Sequence, residues 1–266
     1  KIKTSGAQIN VVHGGIGLPV LLLHGYPQTH VMWHKIAPLL MDNFHVICPD
    51  LRGYGESSKP KTTPDHSPYS KREMARDMVE VMKTLGYDEF FVVGHDRGAR
   101  VVHRMILDYP LQIKKACVMD IAPTHYMFNN TNQAFATGYY HWFFLIQPDG
   151  LPEKMIGDDP LYYLHEKLKR WSAPNAVFNK EAVLQYEKYF SQPEVIHASC
   201  EDYRAAAGID LIQDEEDFNK NLIECPLLVL WGDKGFVHRT YDVLDVWEKY
   251  AKQVEGKSLN CGHFLP

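Results

Sequence analysis

The chain has 266 residues, of which 45% are hydrophobic and 23% charged, and a formal net charge of −5. Such a length suits one α/β domain carrying an insertion, or two small domains, and such a composition is ordinary for a globular protein with a sizeable core. The negative balance argues against nucleic acid or an anionic membrane as the main partner, and no apolar run approaches the ~20 residues of a membrane span.

Taken in chain order, short apolar runs alternate with amphipathic segments. Gly14-Gly15-Ile16-Gly17 lies between strand-like runs with no helix directly after it, which argues against a dinucleotide site. Val20-Leu21-Leu22-Leu23 reads as a buried strand ending at His24-Gly25-Tyr26-Pro27, and Phe44–Pro49 as another ending at the Asp50–Gly55 loop. Ser70 and Glu73 form a capping box that opens a helix; Met74, Met78, Val81, Met82 and Leu85 give it one apolar stripe, and Gly86 stops it. Phe90-Phe91-Val92-Val93 is a third buried strand. It runs through Gly94-His95-Asp96-Arg97-Gly98 into a helical stretch from Ala99. Lys115–Met119 and Leu227–Trp231 read as further strands, and a last one precedes Asn260-Cys261-Gly262-His263-Phe264.

This alternation predicts an α/β fold with a mostly parallel sheet covered by helices on both faces. Between Thr124 and Asn221 the rhythm breaks, strand signals fade and aromatics crowd the chain. We therefore expect a core formed by residues 1–124 and 222–266, interrupted by a helical lid over 125–221. The five cysteines, Cys48, Cys117, Cys200, Cys225 and Cys261, are odd in number and widely spaced, as expected of reduced thiols. With no visible signal peptide they point to the cytoplasm, where the sequon at Asn129 would carry no glycan.

Gly94–Gly98 has the glycine-bracketed form of a nucleophile elbow, with Asp96 where many hydrolases carry serine. A carboxylate there attacks carbon and forms an ester. The ester then needs a base to activate water, and the late His263 in its glycine context is the candidate. Asp120 and Asp233 both follow strands and compete to orient that histidine; the residues alone do not separate them. The backbone N–H groups of Tyr26 and Arg97 are the candidate oxyanion donors. Arg97 and Arg100, three apart at a helix start, suit a grip on a substrate carboxylate. No residue set for a metal or other cofactor is expected.

With these residues in hand, the chain resembles the haloacetate dehalogenases of the α/β-hydrolase superfamily, the fluoroacetate dehalogenases above all. The shared blocks are His24–Pro27, Asp50–Gly55, Gly94–Arg100, Tyr140-His141-Trp142, Cys200–Arg204 and Gly262–Pro266. The resemblance implies the α/β-hydrolase fold with its inserted helical lid. It implies Asp96 as nucleophile, His263 as base and Asp120 as acid. Arg97 and Arg100 would then bind the haloacetate carboxylate, His141, Trp142 and Tyr203 the leaving halide, and Trp171 would line the pocket. A cofactor-free homodimer is also implied, as is a core helix beyond Pro266, relative to which the second core segment reads as truncated. The alternative is an epoxide hydrolase using the same Asp and His with Tyr139, Tyr140 or Tyr203 as acids; a third reading is a catalytically silent binding module.

Overall fold

The computed structural model describes residues 1–266. Seven strands form one sheet: β1 (Val11–Gly14), β2 (Leu18–Leu23), β3 (Phe44–Pro49), β4 (Phe90–His95), β5 (Ile113–Met119), β6 (Leu227–Gly232) and β7 (Val254–Leu259). Their spatial order is β1-β3-β2-β4-β5-β6-β7. Only β1 runs antiparallel, against β3; all other neighbours are parallel. A sheet buried on both faces selects continuous apolar runs, and Leu21, Leu22 and Leu23 in β2 are fully buried.

The outer strands are the ones the apolar runs do not reveal. β7 reads Val-Glu-Gly-Lys-Ser-Leu with no fully buried residue, because it lies at the sheet edge with only β6 beside it. β4 reaches two residues beyond its apolar run, through Gly94 and His95, because the ladder to β5 continues to the pair His95–Met119.

Helix α1 (Lys71–Thr84) starts as its capping box requires: Ser70 Oγ accepts from the Glu73 N–H at 3.3 Å. Met74, Met78, Val81 and Met82 are buried along it. Helix α2 (Arg97–Asp108) follows β4 and packs on β4 and β5, while α1 packs on α2. From Thr124 to Asp217 the chain is helical with no strand of the sheet. Three helices of this insertion matter below: α3 (His141–Phe144), α4 (Pro160–Trp171) and α5 (Pro193–Ala207). No helix is long and apolar enough to cross a membrane. All five cysteines are free.

Register places the chemistry. Residue His95 pairs with Met119, so Asp96 and Asp120 leave neighbouring strands at the same level. Leu23 pairs with Gly94, which brings the turn after β2 beside them. These are carboxyl ends of parallel strands, where open α/β sheets place their sites. Two glycines make the convergence possible. A Cβ on Gly98 would lie 2.4 Å from the His24 carbonyl oxygen, and one on Gly25 would lie 2.4 Å from Asp96 Cβ. Gly98→Ala is therefore expected to destabilise the protein by about 1–3 kcal/mol, read as a lower urea midpoint at unchanged slope.

Candidate active site

Asp96 stands alone between β4 and α2 at φ 48° and ψ −116°, a conformation an L-residue holds only under constraint from its surroundings. The constraint is visible. Its side chain cannot cap the helix below it, and Oδ1 instead accepts the Tyr26 backbone N–H at 2.8 Å. The Tyr26 turn is itself braced by His24, whose Nδ1 bonds the Gly25 carbonyl at 3.1 Å and whose Nε2 accepts the Leu51 N–H at 3.0 Å. Of the two expected oxyanion amides, only Tyr26 N–H lies on the carboxylate. Burial pushes the Asp96 carboxyl up, but the charges of His263, His95, Arg100 and Arg97 outweigh it and hold the group below the ordinary carboxylate value.

His263 faces the other oxygen. Its Nε2 lies 3.7 Å from Asp96 Oδ2 and has no hydrogen-bond partner, while its Nδ1 bonds Asp120 Oδ2 at 2.6 Å. Asp120 is 1% exposed, and its second oxygen accepts the Gly232 N–H at 3.0 Å. Asp233 does not reach the histidine; its nearest cation is Lys234, at 3.6 Å. The His263 backbone is also fixed. Its N–H donates at 2.8 Å to the carbonyl of Trp171, the last residue of α4, and its carbonyl bonds His95 Nε2 at 2.7 Å. Burial pushes the His263 imidazole down, but the hydrogen bond and charge of Asp120, with the charge of Asp96, raise it above its ordinary 6.5.

The two arginines divide their work. Arg97 is fully buried and gives Nε and Nη2 to the Asp202 carboxylate at 3.0 and 2.6 Å, with Nη2 also on the Asp202 carbonyl at 2.9 Å. Its Nη1 has no partner. Arg100 is 4% exposed and meets no carboxylate within ion-pair distance. Its Nη1 donates to the Ala122 carbonyl at 3.0 Å and Thr124 Oγ1 at 2.9 Å, its Nε is unpartnered, and its guanidinium lies 4.6 Å from the Trp142 ring centroid. Burial and the charge of Arg97 pull its pKa below the usual arginine value. A buried cation without a counter-ion is costly unless an anion completes it.

The helical insertion closes the site from above. His141 and Trp142 come from α3 and Tyr203 from α5. The His141 ring lies 5.6 Å from Tyr203 and 4.7 Å from Trp171, and Trp171 lies 5.3 Å from His263. The Tyr203 ring sits under the Arg97 guanidinium at 4.1 Å and beside Tyr26 at 5.5 Å. His141 Nδ1 and Tyr203 Oη are both buried without a partner. Burial, then the charge of Lys167, pushes His141 well below 6.5, so it stays neutral. Of the other lid tyrosines, Tyr139 stacks on Phe236 at 4.3 Å, and Tyr140 is half exposed with its hydroxyl on Lys167 Nζ at 2.8 Å.

The candidate catalytic, clamp and lid residues expected from the sequence thus lie around one place, except Asp233 and Tyr140. Three residues of the site escaped that reading. Asp202 lies in the block Cys200–Arg204 but was given no role, because its partner Arg97 is 105 positions away. Lys71 heads α1 and contacts Asp202, whose Oδ2 also accepts the Tyr54 hydroxyl at 2.7 Å. Lys167 sits among the Tyr140, Tyr163 and Trp171 rings, and burial lowers it to about 7. Nothing local in the sequence marks a buried lysine. No cluster of three His, Cys, Asp or Glu side chains is arranged to hold a metal ion.

Residues 19–266 match the model of the alpha/beta hydrolase fold family. The chain is 45% identical to the fluoroacetate dehalogenase of a Burkholderia species, over 99% of this chain and 87% of that protein. It is 33% identical to the soluble epoxide hydrolase of Corynebacterium sp. strain C12, over 98% and 89% of the two chains. Its fold superposes on the crystal structure of ALR0039, described as an alpha/beta hydrolase of Nostoc sp PCC 7120, with a TM-score of 0.98 and 60% identity, covering 100% of this chain and 91% of that one.

The Asp120 contact makes a checkable demand on His263. In an NMR titration the wild-type imidazole is expected to titrate above 6.5, and Asp120→Asn to move it downward by removing both the bond and the charge. Because the folded value is raised, the stability this pair contributes is fully present below about 6.5 and is lost as pH rises through the folded pKa. The Asn variant should flatten that slope.

Proposed function

The chain belongs to the alpha/beta hydrolase fold family, and we propose that within it the protein is a hydrolytic dehalogenase of short 2-haloacids, fluoroacetate the smallest. One observation carries the reading: a fully enclosed arginine, Arg100, has no carboxylate partner and stands beside an ionised aspartate and a set of unpartnered donors. A substrate that is an anion at one end and carries a poor leaving group at the other meets both needs. The relatedness to a fluoroacetate dehalogenase supports the same class.

In this mechanism the substrate carboxylate lies on Arg97 Nη1 and Arg100 Nε. The carbon bearing the halogen then faces Asp96 Oδ2, the oxygen not held by Tyr26. Oδ2 attacks in line, the carbon–halogen bond breaks, and halide leaves toward His141, Trp142 and Tyr203. These neutral donors stabilise the charge as it develops, in a place closed to bulk water. The ester carbonyl is then Oδ1, already on the Tyr26 amide. His263 Nε2 takes a proton from water, and the hydroxide adds to the Asp96 carbonyl carbon. The intermediate collapses, the departing alkoxide takes the proton from His263, and the 2-hydroxy acid is released. The regenerated Asp96 carboxyl gives its proton to solvent. Asp120 holds the imidazolium that forms on the way.

An epoxide hydrolase is the second reading, favoured by the unpartnered Tyr203 hydroxyl and by the Corynebacterium relative. For an uncharged epoxide, however, the buried Arg100 still has no carboxylate at ion-pair distance, only the more distant charge of Asp96.

Fluoride or chloride release from fluoroacetate or chloroacetate tests the proposal; a folded protein releasing neither overturns it. Asp96→Asn should abolish release. Arg100→Met should lower kcat/KM by at least about thirtyfold, the equivalent of about 2 kcal/mol for an unpaired buried charge. His263→Ala should stop turnover after one ester, visible on Asp96 by peptide mass spectrometry. Where ester hydrolysis limits the rate, kcat should fall as pH drops through the raised His263 pKa, since only the neutral imidazole accepts the water proton.

A further inference from the structure

The donors over Asp96 are more than a halide pocket needs. A fluoride ion accepts hydrogen bonds and leaves as it is. Tyr203 brings something else: a hydroxyl with a proton to give, 2% exposed as a residue, with no acceptor anywhere in the protein. Its ring lies under the Arg97 guanidinium, 4.1 Å from the ring centroid; burial and the charge of Asp96 push the phenol up, the charge of Arg97 opposes them, and the Asp96 charge is gone once that carboxylate has bonded to carbon. Of its neighbours, His141 is neutral and an indole N–H is not an acid at working pH. Tyr203 is thus the group in this cluster suited to hand over a proton.

We propose that the same site opens 2,3-epoxy carboxylates, the anionic epoxides, to 2,3-dihydroxy acids, with Tyr203 as the proton donor. The inference rests on the clamp and nucleophile roles proposed above for Arg97, Arg100 and Asp96. In such a substrate the carboxylate, C2 and the epoxide oxygen stand in the same relation as the carboxylate, C2 and fluorine of fluoroacetate. With the carboxylate on the arginines, the C2–O bond therefore lies where the carbon–halogen bond would. The one added atom is the C3 methylene, tied back to the oxygen by the ring.

The steps balance without any further reactant. Asp96 Oδ2 bonds to C2 with inversion. The C2–O bond breaks, its electron pair goes to the epoxide oxygen, and that oxygen takes the proton of Tyr203, leaving a phenolate beside Arg97. His263 removes a proton from water, hydroxide adds to the ester carbonyl carbon, and collapse expels the C2 alkoxide, which takes the proton back from His263. Asp96 emerges as the acid and returns its proton to Tyr203. The sum is epoxide plus water to diol. The arginines explain the choice of substrate: an uncharged epoxide would leave Arg100 buried without its anion, whereas an epoxy acid supplies it.

The probe is oxirane-2-carboxylate, with 1,2-epoxypropane as the uncharged control and fluoroacetate assayed on the same preparation. We expect glycerate from the epoxy acid, none with Asp96→Asn, and turnover of the uncharged epoxide at least tenfold slower. Tyr203→Phe should cut epoxy-acid turnover about 100-fold or more, the scale of lost general-acid catalysis. It should cut fluoride release by about tenfold or less, the scale of one neutral hydrogen bond. Fluoride release without glycerate overturns this inference and leaves the dehalogenase reading standing; absence of both products removes the two together. Equal losses for the two substrates in Tyr203→Phe overturn the assignment of the proton donor. Equal turnover of charged and uncharged epoxides overturns the role of the arginines.

Discussion

The ion pair between Arg97 and Asp202 is the joint on which the site turns. It is fully buried, and it ties the residue next to Asp96 to α5 of the helical insertion. Burying two charges costs more than their attraction returns unless their remaining hydrogen-bonding capacity is met. Here Asp202 is met from several directions, by Arg97, Lys71 and the Tyr54 hydroxyl, so core, first helix and insertion are fastened through one carboxylate. The same joint fixes Tyr203, the next residue of α5, under the Arg97 guanidinium.

That pairing also sets the character of the pocket. With one face of Arg97 committed to Asp202, Arg100 is the cation left over, and a buried cation left over is a request for an anion. Across from it the donors are kept uncharged: burial holds His141 neutral and its neighbours are aromatic. A cationic histidine there would hold an expelled anion tightly. On the proposed mechanism, neutral donors would stabilise the leaving anion as its charge develops and still let it go.

Much of this was legible in the sequence because its signals are local. The elbow glycines, the capping box of α1 and the strand ends each advertise themselves within a few residues, since each solves a steric or hydrogen-bonding problem posed by its own neighbours. β7 was expected before Asn260 but without bounds, because an edge strand has little apolar surface to bury and so shows no apolar run. The rivalry of Asp120 and Asp233 had no local solution: both follow strands, and only the β4–β5 register and the path of the chain after β7 bring one of them to His263. Asp202 and Lys167 were silent for the same reason. Their partners come from elements far off in sequence, and a buried charge is identified by its surroundings rather than by its letter.

The hydrogen bond from the His263 amide to the Trp171 carbonyl joins this histidine to the end of α4, a helix of the covering segment. The roof and His263 therefore share one hinge pin. Any movement that peels this corner of the roof away unseats the imidazole at the same moment. On the mechanism proposed above, an ester formed while that edge stood open would wait for closure before water could be sent against it. On that mechanism, passage of substrate and readiness for hydrolysis would share a single mechanical part.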